Sequence, residues 1–237
     1  MSPPFYTLLQ DHLQPLGDPE RARGQQAYMK SEMPYLGITA PVQQKITRTL
    51  IREHPFVTQD AWQASTLDVW RNASHREYRY CAIQLAGAPT EDEWLNLQAL
   101  PMLEEMVVDG AWWDYVDALA TRHFGRLLND HPTPLKRLLR RWARDDDMWR
   151  RRVAMLAQLK FKERTDEKLL RDVLHPSLGE NAFFLSKGIG WALREYSKTA
   201  PQFVIAYVHE HADVLSGLSK REGLKVLLKQ GIVDGIP

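Results

Sequence analysis

The stretch "AWWDYVDALA", residues 111–120, sets two tryptophans directly before two aspartates. On a helix, the spacing of four between Trp113 and Asp117 stacks one side chain above the other. A carboxylate beside an electron-rich ring can stabilise a developing cation, and it can orient or deprotonate an attacking water. Asp117 has a second use open to it, in a structural ion pair with an arginine such as Arg152. Spacing alone does not choose between the two.

Helical signals dominate the elements that must position these residues. "TEDEWLNLQALPMLEEM" opens on a capping box, Thr90 and Glu93. "TPLKRLLRRWARDD" puts Thr133 at a cap and Pro134 at the first helical position, and "APQFVIAYVHEH" does the same with Pro201. No sustained run alternates with period two. The chain reads as all-α, with roughly a dozen helices.

A weak internal repeat organises them. Anchors at Glu77, Trp113, Trp149, Phe184 and Leu218 follow one another at gaps of 36, 36, 35 and 34 residues. That period marks an α-solenoid of helix pairs. Counted from each anchor, Trp113 falls at zero, Arg152, Lys187 and Arg221 at three, Asp117 at four and Trp191 at seven. At about 100° per residue these offsets share one stripe, which Tyr80 and Lys160 join. Stacked repeats would form a C-shaped superhelix and line the stripe along its concave surface, where such proteins bind ligands. A groove dense in Arg and Lys calls for an anion, and a phosphate backbone supplies one at each nucleotide. In "KRLLRRWARDDDMWRRR", residues 136–152, only Arg152 has the inward offset.

Composition fits this reading. A chain of 237 residues can bury a full core as a single domain, 1–237. The one cysteine, Cys81, excludes an internal disulfide and a cysteine zinc site, and its small, core-like position reads as packing. No basic leader precedes an apolar run, and no segment approaches the ~20 apolar residues of a membrane span, so a cytoplasmic, nucleoid-associated protein is expected. Residues 1–120 carry 9 Lys and Arg against 16 Asp and Glu, a balance of −7, and residues 121–237 carry 22 against 14, a balance of +8. The second half is the candidate for touching a polyanion. No phosphate-binding glycine loop occurs, and His209 and His211 are spaced to point apart on a helix. Trp112, Trp142 and Trp149 are expected in the core, and Asp114 at the surface or a cap.

"WWDYVD" at 112–117, "LKFK" at 159–162, "GWALREYSKTAP" at 190–201 and "YMKSEMPYLGI" at 28–38 together resemble the AlkD family of alkylpurine DNA glycosylases, which are HEAT-like repeat proteins. The resemblance spans nearly the whole chain. It implies excision of cationic N3- and N7-alkylated purines, such as 3-methyladenine and 7-methylguanine, from double-stranded DNA. By motif, Asp117, Trp113 and Trp191 match the catalytic cleft. Arg152 matches a cleft arginine on the DNA backbone, and Tyr28, Lys160 and Arg194 match further DNA contacts. Lys187 and Arg221 enter as DNA-binding candidates by register alone. In that family the lesion is not flipped into a pocket, unlike the usual glycosylase strategy. A monofunctional, monomeric enzyme with no metal or other cofactor and no obligate protein partner is expected. The alternatives are a non-catalytic DNA-binding module, a protein-binding scaffold, and the sister AlkC-type glycosylases.

Overall fold

The computed structural model describes residues 4–87 and 94–237. They contain helices and connecting turns, with no strand among the described residues. Two compact units divide the chain, Met1–Met106 and Val107–Pro237. In the first, α1 (Phe5–Leu13), α3 (Ala40–Glu53), α4 (Gln59–Arg71) and α5 (Arg76–Ala86) pack together, with α2 (Pro19–Met29) preceding a loop that leads into α3. Helix α6 (Leu100–Gly110) spans the division between the units.

The second unit carries the helix-pair pattern most plainly. Helices α7 (Trp113–Ala118), α10 (Met148–Leu156), α12 (Phe183–Ser197) and α14 (Gly217–Lys229) lie side by side in one layer. The second layer holds α8 (Gly125–Asp130), α9 (Pro132–Trp142), α11 (Glu167–Leu174) and α13 (Pro201–Glu210). This is an α-solenoid. Every repeat anchor falls at the first or second residue of a helix: Glu77 in α5, Trp113 in α7, Trp149 in α10, Phe184 in α12 and Leu218 in α14.

Local chemistry sets the helix starts. Asp147 accepts from the Trp149 and Arg150 amides at 2.9 and 2.8 Å and caps α10. Asp166 and Ser216 cap α11 and α14 in the same way. Pro201 opens α13 as its sequence predicts. Helix α9 departs from expectation, because it starts at Pro132 behind His131 and not at Pro134 behind Thr133. Both prolines lie in the first turn, where an amide has no partner within the helix to lose, so the helix extends back through both. The Thr90 and Glu93 capping box lies outside the described residues. Downstream of it, Asn96 accepts from the Gln98 amide at 2.8 Å and starts the short 3-10 turn Leu97–Ala99 that leads into α6.

The core takes two of the three tryptophans expected there, and the third, Trp112, sits at its edge. Trp142 and Trp149 are buried, with Trp142 packed on Phe124 at 5.1 Å between centroids. Trp112 is half-buried, edge-on to Phe184 at 5.4 Å. Cys81 is fully buried in the first unit, where Gln43 Nε2 and Thr47 Oγ1 donate to its sulfur at 3.1 and 3.2 Å. Burial pushes its thiol up to about 12.

Candidate active site

Helix α7 continues without a break into α8 through a π-helical segment, Leu119–Phe124. Such wide turns recur at functional sites because they re-aim the residues beside them. Asp117 sits just before the segment, and Thr121 Oγ1 donates back to the Asp117 carbonyl at 2.8 Å. Trp113, half-buried, stands one turn earlier on the same helix.

The Asp117 carboxylate meets the arginine that the register brings opposite it. Arg152 Nε donates to Asp117 Oδ1 at 2.7 Å and Arg152 Nη2 to Oδ2 at 2.9 Å, a two-pronged fork. Both side chains are withdrawn from water, 5% exposed for Arg152 and 13% for Asp117. Arg152 Nη1 donates in addition to the Phe184 carbonyl, at the start of α12. The guanidinium thus ties α7, α10 and α12 together. Gly188 is what lets it pass: a Cβ there would lie 3.3 Å from Arg152 Nη1 and 3.2 Å from Met155 Sδ. Trp191, half-buried, is one turn beyond Gly188 on α12. Burial pushes the Asp117 carboxyl up from its ordinary value; the Arg152 hydrogen bonds and charge oppose the rise, and the Asp114 charge adds to it.

The other cations predicted from sequence divide into two groups. Lys187 and Arg194 share one carboxylate, with Lys187 Nζ 2.8 Å from Glu222 Oε1 and Arg194 Nη1 2.6 Å from Glu222 Oε2. Lys160 and Arg221 are exposed and make no ion pair among the described residues. Lys160 lines a cleft of about 560 Å³ together with Met155, Leu159, Ala192, Tyr196 and Lys198. Tyr28 belongs to the first unit and is 79% exposed there. Tyr80 lies in the same unit, half-buried, with its hydroxyl 2.9 Å from that of Tyr35.

Sequence reasoning missed two carboxylates. Glu222 stands four residues after its anchor, Leu218, the same offset as Asp117 after Trp113, so the register that found Asp117 could have found it. Glu77 is buried and accepts from the Leu36, Gly37 and Ile38 amides at 2.9, 2.9 and 3.1 Å, which fixes the "PYLGI" loop. Nothing in its position announced that role.

A two-layer α-solenoid with a buried carboxylate–arginine pair joining its inner helices defines the class of helical-repeat proteins to which the chain is compared. The chain belongs to the DNA alkylation repair enzyme family, whose sequence profile matches residues 9–227. It is 36% identical to a solved structure described as a predicted DNA alkylation repair enzyme from Enterococcus faecalis, which covers 90% of this chain and 97% of that one at a TM-score of 0.73. A Streptococcus mutans UA159 protein, smu.31, shares the fold at 13% identity and a TM-score of 0.59, over 87% of this chain and 97% of that one. No curated protein matches the sequence. A DNA repair role and an enzymatic one follow from the family. No helix among the described residues is long and apolar enough to cross a membrane.

Proposed function

We propose that the protein is a monofunctional DNA glycosylase that hydrolyses the N-glycosidic bond of cationic N3- and N7-alkylated purines in duplex DNA. The observation that carries this reading is Asp117, a carboxylate held out of water by one arginine with an aromatic residue one turn away on its own helix. A purine already alkylated at N3 or N7 bears positive charge, so the glycosidic electron pair returns to the ring without prior protonation. What needs stabilising is the oxocarbenium-like sugar left behind, the same demand as in glycoside hydrolysis. The Arg152 fork occupies one lone-pair direction on each Asp117 oxygen and leaves the others for the sugar cation and the attacking water. Water adds to C1′, its proton passes to Asp117, and an abasic site remains. Trp113 and Trp191 offer ring faces to the sugar, each contributing about 0.5–2 kcal/mol. The lesion stays in the duplex, and the protein acts as a monomer on DNA.

The test is release of 7-methylguanine and 3-methyladenine from methylated duplex by wild type and by Asp117→Asn. The variant should lose about a hundredfold or more in single-turnover rate while still binding undamaged duplex. Equal release by both proteins removes Asp117 from the chemistry.

The second reading is a non-catalytic DNA-binding module. The closed Arg152–Asp117 fork favours it, since an ion pair so well satisfied also serves a purely structural end. Absence of base release by either protein selects this reading.

A further inference from the structure

The pairing of a carboxylate with a cation across neighbouring inner helices, seen between Asp117 and Arg152, occurs a second time between α12 and α14. Asp117 lies at offset four of its repeat and pairs with Arg152 at offset three of the next. Glu222, at offset four of the last repeat, pairs with Lys187 at offset three of the one before. The two rungs differ in wetness: side-chain exposure is 13% and 5% in the first, 17% and 36% in the second. They differ also in partners, because Glu222 reaches a second cation, Arg194, seven residues along α12 from Lys187.

The packing of α12 on α14 fixes this arrangement. A Cβ on Gly190 would fall 2.5 Å from Glu222 Cβ and 3.2 Å from the Ser219 carbonyl oxygen, so Glu222 leaves α14 directly against the α12 backbone, between Lys187 and Arg194 in sequence. Its carboxylate splits there, one oxygen to each cation. From this geometry we infer that Glu222 is a positioning and specificity-determining residue. It holds Lys187 and Arg194 on the candidate DNA face while cancelling one of their two charges, and so lowers the attraction of that face for undamaged backbone. This rests on the DNA-glycosylase reading above. The charge state suits the role, for Lys187 foremost, then the charges of Arg194 and Lys225, holds the Glu222 carboxyl below its ordinary value and ionised at neutral pH.

Excess cationic charge tightens binding to any duplex and steepens its salt dependence, so a repair enzyme searching intact DNA gains selectivity from a fixed counter-charge. Glu222→Gln keeps the shape and removes the charge. Its affinity for undamaged duplex should rise several-fold, its slope of log K against log salt should steepen by about 0.9 to 1.8, one phosphate for each cation released, and excision from methylated duplex should become more sensitive to undamaged competitor DNA. Glu222→Asp keeps the charge and should hold the wild-type slope, a rescue that a merely structural role would not give. Unchanged or weaker binding by Glu222→Gln, or an equal shift in Glu222→Asp, overturns the inference while wild type still excises. A wild type that neither binds duplex nor releases base overturns the underlying reading, and this inference with it.

Discussion

At the scale of single residues, the glycosylase chemistry proposed above rests on how one carboxylate is held. Removal from water favours the protonated form of Asp117, and the Arg152 fork resists it, with burial the larger influence. The folded-state value therefore lies above the ordinary 3.8. With the ionised form doing the work, kcat/KM falls as pH drops through that raised value, so the acid limb of the pH profile sits above the ordinary 3.8. Stability runs the other way, since a raised value means that Asp117's contribution is complete at low pH and declines as pH rises through it. An acid limb at or below 3.8 would contradict the assignment of the limb to Asp117. Glu222 is the opposite case, a carboxylate kept ionised by its neighbours and suited to holding cations rather than reacting.

At the scale of helices, the site depends on how closely backbones approach. Gly190 is where α12 meets Glu222 on α14, and there is no room for a methyl group. Gly190→Ala should force the two helices apart, lowering stability by about 1–3 kcal/mol as overpacked cores do and loosening the hold on Lys187 and Arg194. A melting temperature equal to wild type would show that the contact yields. Much of this scale was legible in the sequence, since helix periodicity and the anchors locate the inner helices to within a residue or two of their starts. The register also picked out Asp117, Arg152, Trp113 and Trp191 as sharing a face. It could not show that the Arg152 fork is already spent on Asp117 and the Phe184 carbonyl, because pairing depends on interhelical distance, and a period carries none. Glu222 stayed hidden for a related reason: in "LSKREGLKVL" a glutamate among lysines looks like an ordinary solvated helix face. The start of α9 was misplaced because two prolines, each acceptable in a first turn, compete for it.

At the scale of the whole molecule, charge divides between the halves, and pairing then redistributes it. Five cations were read as DNA contacts: Arg152, Lys160, Lys187, Arg194 and Arg221. Were each to neutralise one phosphate, the slope of log K against log salt would be about −4.5; with only the exposed Lys160 and Arg221 acting it would be about −1.8. With Arg152 paired to Asp117 and Glu222 cancelling one of the two charges on Lys187 and Arg194, three net charges remain in this set and the expected slope is about −2.7. Lys160→Gln and Arg221→Gln should each remove about 0.9 from the slope. Arg152→Ala should leave it unchanged while costing about 3–5 kcal/mol of stability, the usual penalty for stranding a buried charge. Loss of slope in Arg152→Ala would place that arginine against phosphate after all.

The buried cysteine bears on how such a protein survives its own working conditions. Electrophiles that methylate purines also methylate thiolates, and a thiol becomes reactive only as it ionises. Cys81, the one cysteine in the chain, is sealed in a helical core and pushed up to about 12. Cys81, held as the thiol inside the core, therefore offers such electrophiles no exposed thiolate.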